Sequence, residues 1–391
     1  MMRVAYLCAD PGVPVFGTKG SSVHVQEIVR AWRNTGATVT VYCTRKGTDR
    51  PADLADLDVV EVRPGDATGP AHEQAVQDAA LDLVDEVLHR GCGLVYERYS
   101  LFSPALSVLA PVLDIPSVLE VNAPLIEEQQ RYRELLDVKK ADTVLRRNAA
   151  TADVVACVSE PVVRWVRDRV PAARTVLAPN GVNVARITPR RPGRRNPDHL
   201  TVAFVGTLKP WHGVPALLEA VALANEHTME PDRRWKVKVI GDGPVRTELE
   251  RLADLLGLDA HFTGAVPPAD VPRLLAECDA AAAPYPPESA GKDDYFSPLK
   301  VYEYMAAALP IIASAVGQIP SIVEDGRTGI LVPPGDRESL AAALIRLADD
   351  PDLREWLGGS ARDAAVERFS WDGVLARITA ALPPARRVAV R

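Results

Sequence analysis

The sequence predicts an α/β protein of two doubly wound, parallel-sheet domains. Three observations carry that reading. Short β-branched runs alternate with helical stretches, a proline- and arginine-rich segment breaks the alternation once, and 391 residues suit two domains of ordinary size plus a tail. The first series of runs is RVAYL at 3–7, TVTVY at 38–42, LVYE at 94–97, SVLEV at 117–121, DVVAC at 153–157 and TVLA at 175–178. The second is TVAFV at 201–205, KVKVI at 236–240, HFT at 261–263, PIIAS at 310–314 and GILV at 329–332. Helices fill the gaps: Leu217, Leu218 and Val221 repeat as one apolar face after Gly213, and Leu249, Leu252 and Leu256 as another that stops at Gly257, a suitable C-terminal cap. The segment RITPRRPGRRNPDHL at 186–200 fits neither a sheet nor a core-facing helix and reads as the interdomain linker. The expected division is 1–190, 191–370, and a closing helix and tail at 371–391 that packs back on the first domain. Two such domains place a cleft between the carboxyl ends of their strands, where open parallel sheets bind ligands.

Composition narrows the function classes. With 45 basic and 52 acidic residues the net charge is −7, so no global field favours nucleic acid. Nothing approaches the roughly 18 apolar residues of a membrane-spanning helix. The start, MMRVAYLCADPG, reads as a first strand rather than a leader, and a cytoplasmic protein is expected. Five cysteines without a CxxC point to buried thiols, with neither a disulfide framework nor a metal site.

Three loop–helix stretches carry candidate chemistry. In DDYFSPLKVYEYMAAALPIIAS at 293–314, Ser297 reads as an N-cap and Pro298 as the first helical residue. Amides around Ser297 to Leu299 would then face a phosphate with Lys300 as countercharge, and Glu303, a turn deeper, would accept two hydroxyl hydrogen bonds from a diol. In FVGTLKPWHG at 204–213, a strand ends at Gly206 and is followed by Lys209 and His212, two potential cations beside a backbone turn that suits a diphosphate. In FGTKGSSVHVQEI at 16–28, Gly17 and Gly20 allow close backbone approach and His24 falls in the first helical turn. The glycines of IGDGPVR at 240–246 end in Arg246 where a dinucleotide fingerprint needs a third glycine, and no HExxH, GxSxG or P-loop pattern occurs.

Taken in order and spacing, these stretches resemble the retaining GT-B glycosyltransferases of family four. The resemblance rests on GTKGSSVHVQEIVRAW, VSEPV, APNGVNV, FVGTLKPWHGV, VIGDGP, SPLKVYEYMAAALPIIAS, GQIPSIVEDGRTGILVPPGD and RFSWDGV. It implies two Rossmann-like domains facing a central cleft, a nucleoside diphosphate sugar (UDP or GDP) as co-substrate on the second domain, and an acceptor on the first. By position, Glu303 would hold the ribose, and the backbone around Phe296, Ser297, Pro298 and Leu299, through its free amides, would meet the sugar and phosphates. Lys209, His212 and Lys300 would face the diphosphate beside Gly206, the base would pack at Ala265 and Val266, and Gly17 and Gly20 would close over the diphosphate. Two departures stand out. Tyr295 occupies the place of the family's first acidic residue, with Asp294 adjacent but out of register, which implies an unusual donor sugar. Asn122 replaces the family's histidine, so it can contact sugar but cannot act as a base; Lys209, His212, Asn122 and His24 are the catalytic candidates.

No metal or other cofactor is implied, since lysines and helix N-termini can neutralise a leaving diphosphate. With no nucleophilic carboxylate evident, front-face transfer assisted by the leaving phosphate is the expected route. The acceptor reads as a small polar molecule, possible in natural-product biosynthesis. One alternative is a membrane-lipid or polysaccharide acceptor, suggested by the basic stretch RYRELLDVKK and VLRRNAA at 131–150; another is a catalytically silent partner subunit. Glu97, Arg98, Tyr99, Glu127 and Glu128 are polar candidates for the acceptor surface and are expected to face solvent. Oligomeric state is not readable.

Overall fold

The computed structural model describes all residues except 190–198, 229, 231–232, 288–294, 296 and 385–391. It divides into two compact units, Met1–Asn180 with Trp371–Arg391, and Gly181–Ser370. The chain therefore crosses at Asn180–Gly181 and again at Ser370–Trp371, rather than through one linker at 186–200. The reason is packing: Val182 and Ile187 are buried in the second unit's core, and the Arg362 guanidinium binds the carbonyls of Val184 and Ile187. Most of the arginine-rich segment lies outside the described residues.

The first unit holds a seven-stranded parallel sheet in the order β3-β2-β1-β4-β5-β6-β7. Its strands are β1 (Arg3–Cys8), β2 (Thr38–Cys43), β3 (Asp58–Glu61), β4 (Leu94–Arg98), β5 (Ser117–Val121), β6 (Val154–Cys157) and β7 (Thr175–Leu177). The order reverses between β1 and β4, which pair with Tyr6 opposite Tyr96 and Cys8 opposite Arg98. The Gly20–Asn34 helix leads from β1 and packs on the Trp371–Ala380 helix, with Asn34 Nδ2 donating to Asp372 at 3.0 Å.

The second unit holds β8 (Leu200–Val205), β9 (Trp235–Ile240), β10 (Ala260–Phe262), β11 (Ala280–Ala283), β12 (Ile311–Ser314) and β13 (Ile330–Val332), all parallel, in the order β10-β9-β8-β11-β12-β13. Both faces are covered, so alternate residues of one strand serve different cores. Val202 and Phe204 pack with Leu217, Leu218 and Val221, whereas Ala203 and Val205 pack with Val301 and Met305. The order reverses between β8 and β11.

Two strands go unread in the sequence. β3 is a short edge strand, DVVE, with little apolar signal. β11 is AAAA, a run with high helix propensity; as a central strand its alternate methyl groups fill both cores, and packing overrides propensity. The helix expected after Ser297 forms over Leu299–Ala306, but Pro298 stands at its N-cap and no side chain caps it. The Ser297 hydroxyl lies 3.1 Å from the Tyr302 hydroxyl instead.

Candidate functional site

In the second unit the strand ends at the order reversal bring Lys300, His212, Phe204 and Tyr285 together. Lys300 is buried in the first turn of the Leu299–Ala306 helix, with Nζ 4.0 Å from the Phe204 ring centroid and 5.3 Å from that of Tyr285. The ammonium has no hydrogen-bond partner among the described residues. Gly206 is adjacent: a Cβ there would lie 3.1 Å from Nζ. Burial drives the Lys300 pKa down to about 7, only partly opposed by the Glu303 carboxylate.

His212 does not supply the second cation expected from its position. Burial, then the nearby charge of Lys300, press its pKa down to about 3, with a backbone hydrogen bond to Thr207 opposing and Lys209 adding to the fall. Its Nδ1 is bonded to the Thr207 carbonyl, so it stands as a neutral imidazole edge-on to Tyr285 at 6.0 Å. Lys209 lies 5.0 Å from the ring of Trp211, which is 49% exposed and not a packed core residue. Both lysines thus bear on one histidine. Close approach of the loops needs glycine: Gly213 adopts φ +70°, and a Cβ there would overlap the Pro284 carbonyl at 1.6 Å. Likewise a Cβ on Gly241 would meet the Gly206 carbonyl at 2.0 Å, so the glycine of VIGDGP serves loop packing.

Of the remaining residues expected on this unit, Pro298 and Leu299 open the helix and Glu303 is half-buried on it. Ala265 is exposed and Val266 packs partly against the core. Phe296 and Asp294 lie outside the described residues, while Tyr295 is half-buried.

The first unit contains a different cluster at its own order reversal. His24 Nδ1 lies 2.8 Å from Asn180 Oδ1 and Nε2 lies 2.6 Å from Glu120 Oε1, which also accepts from the Tyr96 hydroxyl at 2.9 Å. Trp371 presents its ring to His24 at 4.9 Å. Burial alone would raise the Glu120 pKa, but His24, Arg98 and Tyr96 outweigh it and hold the carboxyl down to about 2. His24 is thus a buried structural bridge in the first turn of its helix. Gly17 is held by Gln26, whose Nε2 donates to its carbonyl at 3.1 Å, and Gly20 is the helix's first residue. Asn122 follows β5, and its Nδ2 is buried without a hydrogen-bond partner among the described residues.

The polar residues expected to face solvent divide. Glu97 and Tyr99 are buried and Arg98 is nearly so, whereas Glu127 is exposed and Glu128 half-buried. Glu97 Oε2 accepts from the Leu106 amide at 2.7 Å, and burial lifts its pKa to about 7. The sequence reading missed Glu120, Phe204 and Tyr285 altogether. A signal was available for Glu120, because a carboxylate inside a strand buried on both faces requires a partner.

Two family models match the chain, one described as Glycosyltransferase Family 4 over residues 18–186 and one as Glycosyl transferases group 1 over 199–350, together spanning most of it. The chain belongs to glycosyltransferase family four. A D-inositol 3-phosphate glycosyltransferase of Actinosynnema mirum is 36% identical over 55% of this family-four chain and 53% of its own length. The sulfoquinovosyl transferase SQD2 of Arabidopsis thaliana is 26% identical over 96% of this chain and 72% of its own. The chain spans about half the length of the first curated relatives it matches, 53% and 38%. Among solved structures, Anabaena Alr3699/HepE in complex with UDP and glucose matches at TM-score 0.72 with 18% identity, covering 98% of this chain and 99% of that one. Sucrose-phosphate synthase from Thermosynechococcus elongatus matches at 0.70 with 22% identity over 96% and 97%. These likenesses establish the fold as GT-B.

Proposed function

We propose that this family-four chain transfers a sugar from a nucleoside diphosphate sugar to a small polar acceptor, with retention of configuration and without a metal. The observation that carries the reading is Lys300: a buried ammonium against two aromatic faces, at a helix start beside the Gly206 turn, partly supported by the Glu303 carboxylate and without a hydrogen-bond partner among the described residues. A diphosphate is the kind of anion such a group suits. Lys209 adds positive charge near the same histidine, and neutral His212, its Nδ1–H donated to the Thr207 carbonyl, can accept one hydrogen bond at Nε2 without competing for the phosphate. Glu303 offers a carboxylate to a ribose diol. Asn122, uncharged, can hydrogen-bond a sugar hydroxyl but cannot remove a proton at neutral pH, which favours a front-face route in which the departing phosphate oxygen takes the acceptor proton. Relatives named for UDP-bound and inositol phosphate chemistry support a UDP or GDP sugar and a hydroxylated acceptor. The test is a panel of nucleoside diphosphates and their sugars: the matching one raises the melting temperature, transfer releases the nucleoside diphosphate, proton NMR shows a retained anomer, and EDTA leaves the rate unchanged. No shift with any of the panel refutes the reading.

A lipid acceptor is a second reading. Tyr132 is 61% exposed and Leu136 44%, on a stretch that also carries Arg131, Arg133, Lys139 and Lys140. Flotation with anionic liposomes, abolished by Tyr132→Ser with Leu136→Ser, supports it; no flotation at low salt removes it.

A further inference from the structure

We propose that Arg98 is the anion-binding residue of an acceptor subsite on the first unit, and that the acceptor carries a phosphate or carboxylate beside its hydroxyl groups. The proposal rests on the transferase reading above and adds the chemical class of the acceptor.

Arg98 ends β4, the strand at which the sheet order reverses, where parallel sheets take their ligands. Its register partners are Cys8 on β1 and Glu120 on β5, so its side chain shares one sheet face with Tyr6, Tyr96 and Glu120. The side chain is 12% exposed, yet Arg98 makes no hydrogen bond among the described residues. Its ion-pair partner, Glu120 Oε2, is 3.8 Å from Nη1, beyond hydrogen-bond range, and neither atom has a hydrogen-bond partner among the described residues. Glu120 does not close the gap because its other oxygen is engaged by His24 and Tyr96.

A guanidinium carries five N–H donors, and buried donors are almost always satisfied. A guanidinium at a strand end whose buried Nη1 meets a carboxylate only at ion-pair distance keeps donor capacity for a ligand. Planar, bidentate donation selects a carboxylate or phosphate over a lone hydroxyl. Two further groups lie beyond the strand ends. Asp10, two residues past β1, adds to the negative field at Arg98 while one of its oxygens accepts from the Gly12 amide at 2.7 Å. Asn122, one residue past β5, has an Nδ2 without a hydrogen-bond partner among the described residues. A carboxylate beside the fork disfavours a bare polyanion and favours a ligand that also brings hydroxyl donors. The complement is a hydroxylated molecule with one anionic group.

The test uses the full chain with glucose 6-phosphate, glucuronate and glucose, by isothermal titration at matched ionic strength. The two anionic sugars should bind at least tenfold more tightly than glucose, and their order identifies whether phosphate or carboxylate is the natural group. Arg98→Met should bring all three to the glucose level and Arg98→Lys to an intermediate one. Because Arg98→Met strands Glu120, the double variant R98M/E120Q, which removes both charges, is measured alongside. Equal binding of the three by the wild type, no binding of either anion at tens of millimolar, or an anion preference that survives in R98M/E120Q overturns the proposal. A nucleoside diphosphate thermal shift on the same wild-type sample separates the two readings: its absence counts against the transferase, not against Arg98.

Discussion

The two units bury charge in opposite ways. At the first unit's order reversal, Glu120 is met by His24, Tyr96 and, more distantly, Arg98. At the second's, Lys300 is met by two aromatic faces and a half-buried carboxylate one turn away, without a hydrogen bond among the described residues. The same fold position thus carries a hydrogen-bonded anion in one case and, among the described residues, a cation without a hydrogen bond in the other. The acidities differ accordingly: partners pull Glu120 below its ordinary range despite burial, whereas burial wins at Lys300. A charge satisfied by its own protein contributes to folding; one left unsatisfied costs stability and is retained for a ligand.

The comparison breaks most readily at Glu120. Glu120→Ala leaves His24 and Arg98 without their carboxylate and should destabilise the chain by about 3–5 kcal/mol in urea unfolding, with Glu120→Gln losing much less. Lys300→Met should lower transfer by about 10²–10³-fold, in line with removal of a preorganised charge, yet raise the melting temperature of the unliganded chain. A lowered melting temperature would show that the lysine serves the fold. Acid titration sharpens the contrast. Glu120 has a folded pKa near 2 against an ordinary 4.5, so its contribution, roughly 3 kcal/mol, is complete above pH 4.5 and is lost as pH falls toward 2. Wild type and Glu120→Gln unfolding curves should therefore converge across that window.

Lys300 moves the other way. Its proton is held only below about pH 7 in the unliganded chain, so nucleoside diphosphate affinity should fall by up to tenfold per pH unit above neutrality, while Lys300→Arg flattens that profile. The smallest effect belongs to His212. Being neutral down to about pH 3, it should contribute no limb to the pH–rate profile between 5 and 9, and His212→Asn should cost a few-fold without changing the profile's shape.

The fold was legible wherever periodicity was strong. The apolar face Leu217–Leu218–Val221 and the stop at Gly257 appear as read, because one residue type at a fixed spacing decides them. β11 was illegible because its four alanines owe their conformation to the two cores they fill. At the candidate site, Lys300 and Gly206 could be brought together from motif order, but the neutrality of His212 could not. That depends on desolvation by residues distant in sequence, Tyr285 among them. Arg98 was misread as solvent-facing for the same reason: strand register, invisible in one strand alone, places it opposite Glu120.

The helix Trp371–Ala380 follows the whole second unit in sequence yet lies on the Gly20–Asn34 helix, where Trp371 covers His24. During synthesis the ribosome must therefore deliver some 190 residues of the second unit, Gly181–Ser370, before the first can bury that face. Until then the first unit carries an uncovered His24 and an unburied helix flank, so its packing is completed only after the second unit has been made.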